Sequence, residues 1–197
     1  MSETIQRNII RERSSGYESY HAFTTFPVIL APRQVADPPS LFDLTIAHLR
    51  AGFIYGFPIS TLNSPSQAKV LITQHTEIKN SPLCALAEAA QYRGWGNQQH
   101  KIVQKYFLAN DPDTIACEVP VWDKEKEMAG CLDILRVSIE RQKVEICDFK
   151  PDAHKCVNQA MTQVYYYKEM LIKCAGIPRA VIDCYAFDDQ KCYRLNS

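Results

Sequence analysis

The 197-residue sequence lacks the features of membrane, secreted and low-complexity proteins. No apolar run approaches the ~20 residues that span a bilayer, and the first residues lack the apolar stretch of a secretory signal. Glu3, Glu12 and Glu18 argue against an organelle presequence, because such segments are poor in acids. Internal repeats and long linkers are absent too, so the length favours a single main domain.

Net charge of one sign is also absent, because 22 basic residues balance 22 acidic ones. The protein therefore has no global attraction to nucleic acid, and any such binding must use a local patch. This balance weighs against a nonspecific nucleic-acid coat protein. It leaves room for an enzyme whose acidic metal site offsets basic residues elsewhere.

The eight cysteines include no C-x-x-C pair, and several fall within apolar stretches. Free cysteine behaves as a small buried hydrophobe, so we expect a reducing, cytoplasmic compartment. A zinc or iron–sulfur site would need ligands that are distant in sequence.

What the sequence does contain is a succession of helical and strand patterns that predicts an α/β fold with a mixed central sheet flanked by helices. Strands are predicted in "TIACEVPVW", "AGCLDILRVS", "KVEICDFK" and "RAVIDCYAF", with "KCYRL" as a further pairing segment. Helices are predicted in "DPPSLFDLTIAHLRAGF", "SPLCALAEAAQY", "GNQQHKIVQKYFLAN" and from about Lys155 to Ala175. Ser40 and Ser81 provide N-cap signals, and Gly176 provides a stop signal.

The chain divides by pattern into two parts. Residues 81–197 carry the α/β pattern of a core, and residues 1–80 form an N-terminal extension, mostly helical or irregular, of unknown role. Residues up to about Arg33 look irregular, and "SQAKVLITQHTEI" fits either a strand or a short helix. The extension is a candidate surface for a protein partner or a second copy of the chain.

Two acids lie inside apolar strands. A hairpin of the two strands brings Asp148 level with Asp133, and two carboxylates in an apolar sheet repel each other unless a cation lies between them. Mg²⁺ prefers such oxygen ligands. Taken singly, each acid is better explained by a strand end in solvent or by an ion pair with Lys150. Side chains alternate along a strand, so Lys150 shares a face with Asp148, and the three together favour a cation site.

Three further polar side chains belong to the predicted helices. His100 lies on the same helix face as Val103 and Phe107, which is the face that meets the sheet. A histidine there is either a hydrogen-bonded core residue or a Mn²⁺ ligand. Gln163 and Tyr167 lie one turn apart along the border of an apolar stripe, where they either form a rim of the core or bind a substrate backbone.

Together these motifs resemble the PD-(D/E)xK nucleases. The resemblance rests on His100 in G-x-x-x-H, Asp133 in "GCLD", Asp148 and Lys150 in "DFK", and Q-x-x-x-Y from Gln163 to Tyr167. Their order and spacing are most similar to the RecB-like and lambda-exonuclease-like branch. The match covers about Gly96 to Phe187. It implies a restriction-endonuclease-like core.

The resemblance also implies roles for individual residues. His100, Asp133, Asp148 and the backbone carbonyl of Phe149 would bind Mg²⁺ or Mn²⁺, with Lys150 orienting or activating the attacking water. Asp133, Asp148 and Lys150 would thus form the catalytic set, and Gln163 and Tyr167 would hold the DNA. Glu118 matches an acid that often precedes the aspartate and would support the ligands from behind. The closely spaced C-terminal cysteines of the iron–sulfur members are missing, so we expect no cluster.

The implied function is a metal-dependent deoxyribonuclease that hydrolyses phosphodiester bonds of single- or double-stranded DNA, most simply an exonuclease of repair, recombination or replication. A catalytically silent nuclease-fold module of a nucleic-acid-processing complex is one alternative. An RNA endonuclease of the same superfamily is another, and the Q-x-x-x-Y pair favours DNA over it. The sequence leaves strand polarity and oligomeric state open.

Overall fold

The computed structural model describes residues 8–14, 17–23, 63–123, 125–138 and 140–196. Its strands are β1 (Asn8–Ser14), β2 (Tyr17–Phe23), β3 (His75–Glu77), β4 (Thr114–Asp123), β5 (Met128–Ser138), β6 (Lys143–Phe149), β7 (Ile182–Phe187) and β8 (Cys192–Leu195). Its α-helices are α1 (Pro82–Ala89), α2 (Gln99–Asn110) and α3 (Val157–Ala175).

The strands form one mixed sheet in the order β1-β2-β4-β5-β6-β7-β8-β3. Neighbouring strands are antiparallel except β6 and β7, which are parallel. Parallel neighbours need a crossover connection, and helix α3 provides it between β6 and β7. The predicted α/β architecture with a mixed sheet flanked by helices is confirmed.

Helices cover both faces of the sheet. On one face α3 packs Met161 and Val164 into a cluster with Leu135 and Ile146. On the other face α1 and α2 pack into a second cluster, in which Phe107 is buried with the β6 residues Cys147 and Phe149. Because neighbouring β6 residues belong to opposite clusters, the alternation predicted for this strand is confirmed.

The helix boundaries follow the predicted capping signals. The Ser81 hydroxyl accepts a hydrogen bond from the Leu83 N–H at 3.3 Å, and Pro82 occupies the first helical position of α1. Helix α3 ends at Gly176, whose φ of 65° is left-handed, a conformation that costs glycine little. Both ends were predicted from single residues and are confirmed.

The N-terminal part departs from its prediction. Residues 8–14 and 17–23 were expected to be irregular, within a mostly helical extension, but they form the antiparallel strands β1 and β2. Strand β2 pairs with β4 through Tyr20↔Cys117 and His21↔Ala116. Pairing across about a hundred residues is a tertiary contact that no local pattern announces, although Ser15-Gly16 between the strands is a turn signal.

Other predictions fall near or outside the described residues. The helix predicted in "DPPSLFDLTIAHLRAGF" lies outside them. The segment "SQAKVLITQHTEI" contains the end of a 3-10 turn, Pro65–Gln67, and then the short strand β3, which pairs with β8. Among the described residues, no helix is long and apolar enough to cross a membrane.

Candidate active site

The predicted acids lie side by side where strands β5 and β6 begin to separate. The last pair of their ladder is Ile134↔Cys147, so Asp133 and Asp148 occupy the next level, as predicted. The Phe149 N–H donates to a side chain, Asp133 Oδ2, at 3.1 Å. This backbone bond holds one carboxylate against the strand that carries the other.

Asp148 is fully buried, with no exposed side-chain area. Neither of its carboxylate oxygens accepts a well-formed hydrogen bond in the described part of the chain. The closest charge is the ammonium of Lys150, whose Nζ lies 2.6 Å from Oδ2. Burial raises the pKa of Asp148 to about 7, and Asp133 adds to the rise while Lys150 opposes it. Asp148 is thus a buried acid whose Oδ2 pairs with Lys150 and whose Oδ1 has no hydrogen-bond partner in the described residues.

Lys150 extends along the face shared with Asp148, and its side chain is 22% exposed. Its backbone N–H donates to the Phe187 carbonyl at 2.9 Å, which fixes the end of β6 against β7. Burial alone would lower the pKa of Lys150, but the carboxylates of Asp148 and Asp133 outweigh it and raise that pKa. The ammonium is therefore charged and is held against the buried Asp148 carboxylate.

His100 approaches the same level from helix α2. Its Nδ1 lies 3.3 Å from Asp133 Oδ2, and its ring packs edge-on against Phe149 with centroids 5.1 Å apart. Burial acts to lower the pKa of His100, but the Asp133 carboxylate reverses this and raises it. The sheet-facing orientation predicted from the helix pattern is confirmed.

Glu118 joins this group from strand β4. The flanking pairs Cys117↔Ile134 and Val119↔Leu132 place it opposite Asp133. Its φ of 54° is left-handed, so the neighbours Cys117 and Val119 pack on opposite faces of the sheet. Backbone strain of this kind persists only where the surroundings impose it, and it is concentrated at functional sites.

The carboxylate of Glu118 accepts a hydrogen bond from Gln104 Nε2 on helix α2. Burial raises the pKa of Glu118, and the Gln104 bond opposes the rise. Gln104 was not predicted, although it lies one turn after His100 and therefore on the same helix face. That spacing was the signal that could have found it.

Helix α3 supplies the predicted amide–phenol pair. Gln163 Nε2 donates to the Tyr167 hydroxyl at 2.6 Å. Burial, together with the nearby Asp148 charge, raises the pKa of Tyr167, so its hydroxyl stays neutral. The Tyr167 ring covers Gly130 so closely that a Cβ there would lie 2.6 Å from its Cε1 atom. The glycine of "GCLD" is what admits this ring.

Asp188 supports the site and was also missed. This carboxylate, 2% exposed, accepts hydrogen bonds from the N–H groups of Ala153 at 2.7 Å, Gln190 at 2.7 Å and Lys191 at 2.6 Å. It therefore ties the β7–β8 turn to the segment that follows Lys150. An aspartate two and three residues before backbone donors is an Asx-turn pattern that the sequence displays.

The donor set fits a hard divalent cation in its chemistry. The described residues hold no group of three His, Cys, Asp or Glu side chains close enough to enclose a metal ion. Mg²⁺ nevertheless binds through one or two carboxylates and keeps several waters. Asp148 Oδ1, which has no hydrogen-bond partner in the described residues, and the neighbouring Asp133 carboxylate satisfy that requirement, and a cation there would favour the ionised form of both acids.

Comparison with protein-family models, with curated proteins and with solved structures gives no match for this chain. Function must therefore be inferred from the site.

Proposed function

We propose that the protein is a Mg²⁺- or Mn²⁺-dependent DNA nuclease with a restriction-endonuclease-like core. The order of elements supports this: helix α2, the antiparallel strands β4, β5 and β6, the crossover helix α3, and the parallel strand β7. That order, with an acid on each of two adjacent strands and a lysine after the second, is the arrangement that the PD-(D/E)xK resemblance implies.

The observation that carries the proposal is the convergence of four side chains from three elements at one end of the sheet. Asp133 and Asp148 lie level on β5 and β6, and each has a cationic or hydrogen-bonding neighbour, His100 at 3.3 Å and Lys150 at 2.6 Å. A core built only for stability rarely leaves a buried carboxylate oxygen, here Asp148 Oδ1, without a hydrogen bond. Such exceptions are typical of sites that bind a ligand or ion.

Each residue then has a role in phosphodiester hydrolysis. Asp133, Asp148 and the Phe149 carbonyl, with His100, would hold the cation. When bound, Mg²⁺ or Mn²⁺ supplies Lewis-acid stabilisation of the charge on the phosphate. The Lys150 ammonium, positioned by Asp148, orients the attacking water and offsets negative charge that develops on the phosphate.

The remaining residues position the substrate and the ligands. Gln163 and Tyr167 would hold the DNA strand beside the scissile phosphate. The Gln163 amide can donate to phosphate oxygens, and Tyr167, only 3% exposed, would position that amide through their hydrogen bond. Glu118 and Gln104 support the ligands from behind, on the side of helix α2. We propose that the enzyme is an exonuclease. An exonuclease needs a free DNA end, and a circular substrate tests that need.

The direct test incubates the purified protein with linear, 5′-phosphorylated and circular DNA, in both single- and double-stranded forms, with Mn²⁺. We expect degradation of linear DNA by the wild type and none by Lys150→Ala. Lys155→Ala is the matched control, because Lys155 lies five residues further on, is 66% exposed and pairs with Asp152 at 3.0 Å. Equal degradation by all three proteins, or by none, contradicts the catalytic assignment.

A nuclease-fold binding module is the second candidate. The observation in its favour is that the described His, Cys, Asp and Glu side chains form no enclosed three-ligand group. It predicts DNA binding that is independent of Mn²⁺ and leaves the DNA intact. The same incubation, followed by electrophoresis of the DNA with and without denaturation of the protein, separates the two functions.

A further inference from the structure

Trp95 is an unusual surface residue. Among the described residues, only three large apolar side chains are mostly exposed: Val70, Leu71 and Trp95. The side chain of Trp95 is 57% exposed, and it lies five residues before His100 in an exposed run from Arg93 to Gln98. We propose that Trp95 stacks on an unpaired base of single-stranded DNA and so positions the strand at the active site. The inference rests on the proposed nuclease function.

The base of this exposed run is fixed to the active site. Tyr92 is buried, and its ring packs against Phe149 with centroids 4.8 Å apart, while the His100 ring packs against the same Phe149 ring with centroids 5.1 Å apart. The Tyr92 hydroxyl donates to Asp189 at 3.0 Å, and Arg93 pairs with the same carboxylate. One aromatic ring therefore connects the segment that carries Trp95 with a residue of the site.

The backbone of Trp95 is itself held on both sides. Its N–H donates to the Tyr92 carbonyl at 3.2 Å, and its carbonyl accepts from the Gln98 N–H at 3.0 Å. Gly94 and Gly96 on either side have left-handed φ values of 87° and 51°, which glycine adopts at little cost. These hydrogen bonds hold the backbone that carries the exposed indole, so stacking would cost little main-chain entropy.

The chemistry of this position favours a nucleobase as the partner. Base–aromatic stacking accepts any base, because every base has a π face. Single strands present such faces, whereas the bases of a duplex are already stacked. The run also contains the amides of Asn97 and Gln98, which are exposed and can bind phosphate or sugar oxygens. The surface therefore combines an exposed aromatic ring with neighbouring polar groups, as single-strand binding requires.

The test separates stacking on bases from attraction to the backbone. Binding to a short thymidine oligonucleotide and to the same sugar-phosphate chain without bases is measured by fluorescence anisotropy. The full chain carries Lys150→Ala and Mg²⁺ is present, so that the DNA stays intact. We expect Trp95→Ala to weaken binding to the thymidine oligonucleotide by about 5- to 150-fold, as stacking of one base predicts. Binding to the base-free chain should not change.

Two control variants accompany Trp95→Ala. Trp95→Phe keeps an aromatic plate and should retain most of the affinity. Leu71→Ala removes another exposed apolar side chain, 52% exposed, and should bind like the parent protein. In a Trp122→Phe background, Trp95 is the sole tryptophan of the chain, and the thymidine oligonucleotide should quench its fluorescence while the base-free chain should not.

Three outcomes overturn the inference. The first is that Trp95→Ala binds the thymidine oligonucleotide as tightly as the parent protein. This result is expected if Trp95 instead contacts a protein. Equal weakening towards both oligonucleotides assigns the residue to the backbone. A parent protein that binds neither DNA, and a wild type that degrades none, overturns the proposed function and the inference together.

Discussion

Strands β5 and β6 carry buried charges at two levels, and the two levels are built on opposite principles. Towards the hairpin, Arg136 and Glu145 face each other as the middle pair of the ladder. Towards the opposite side, Asp133 and Asp148 lie level just beyond the last pair. We call these two positions the Arg136 end and the Asp148 end; the first places a cation beside an anion, and the second places two anions side by side.

The Arg136 end is saturated by groups of the protein. The Arg136 guanidinium, 8% exposed as a side chain, contacts Glu145 and donates to Asp111 at 2.7 Å and to Asp113 at 3.4 Å. Arg141 adds a second cation, 2.6 Å from Glu145. Buried charges are tolerated when they are paired and hydrogen-bonded in this way, and such a network needs nothing from outside.

The Asp148 end is unsaturated. Two carboxylates share one ammonium and one imidazole, and Asp148 Oδ1 has no hydrogen-bond partner in the described residues. The contrast shows that burial of charge alone does not identify a functional site, since both ends have it. An unfilled requirement for partners distinguishes the candidate site from the structural network.

The largest expected effect comes from breaking the saturated end. Arg136→Met leaves Asp111 buried without its guanidinium partner and Glu145 with Arg141 alone, so we expect a loss of about 3–5 kcal/mol in the free energy of unfolding. Denaturant unfolding followed by circular dichroism measures it. Arg141→Met is the control, because Arg141 is 47% exposed and exposed pairs contribute about 1 kcal/mol or less. Similar losses of unfolding free energy in both variants would contradict the assignment of Arg136 to a buried stabilising network.

Breaking the unsaturated end should instead remove activity. Lys150→Ala takes away the positioned ammonium, and removal of one such electrostatic group costs about 10²- to 10³-fold in rate. Single-turnover DNA cleavage with Mn²⁺ measures it, and the unfolding midpoint should stay within a few degrees of the wild type. If Lys150→Ala instead loses as much unfolding free energy as Arg136→Met, Lys150 serves mainly to stabilise the fold.

The third prediction concerns the cation. Mn²⁺ should raise the unfolding midpoint of the wild type, because a ligand at about 100 times its Kd stabilises the folded state by about 2.7 kcal/mol. Asp148→Asn should fold without Mn²⁺ and gain little from it. The measurement is a thermal unfolding series over Mn²⁺ concentration, with Arg141→Met as a control that keeps the full response. An equal response in Asp148→Asn would locate the ion elsewhere.

The smallest effect tests a buried aspartate that has partners. Asp123, 2% exposed, accepts from the Glu125 and Lys126 N–H groups at 3.0 and 3.3 Å and from Lys173 at 3.0 Å. Burial acts to raise the pKa of Asp123, but Lys173 and these backbone donors outweigh it and lower that pKa. Its pKa is thus shifted in the direction opposite to that of Asp148.

A lowered native pKa fixes the sign of the pH dependence. Asp123 contributes stability in full above the ordinary aspartate pKa near ~3.9, and this contribution is lost as the pH falls through the lowered value. Unfolding midpoints from neutral to strongly acidic pH should therefore fall less steeply for Asp123→Asn than for the wild type. Glu125→Gln is the control, since Glu125 is 84% exposed, and its profile should follow the wild type.

Local patterns predicted most of the core and the position of the acids. Caps and periodicity located α1, α2 and α3, and strand alternation placed Asp148 and Lys150 on one face, because both depend on neighbours in sequence. The strands β1 and β2 were missed because their place in the sheet depends on β4, far along the chain. Glu118 was only matched to a motif, since its left-handed backbone and its bond to Gln104 arise from packing.

Gly130 affects how mutagenesis should be used to find functional residues in this protein. Alanine scanning deletes side chains and so passes over a residue that has none, yet one added methyl group at this position would collide with the Tyr167 ring. The collision would push back the phenol, and with it the amide of Gln163, without touching any charged group. The lack of a side chain at Gly130 sets the distance between helix and strand here, and a substitution that adds atoms is what reveals it.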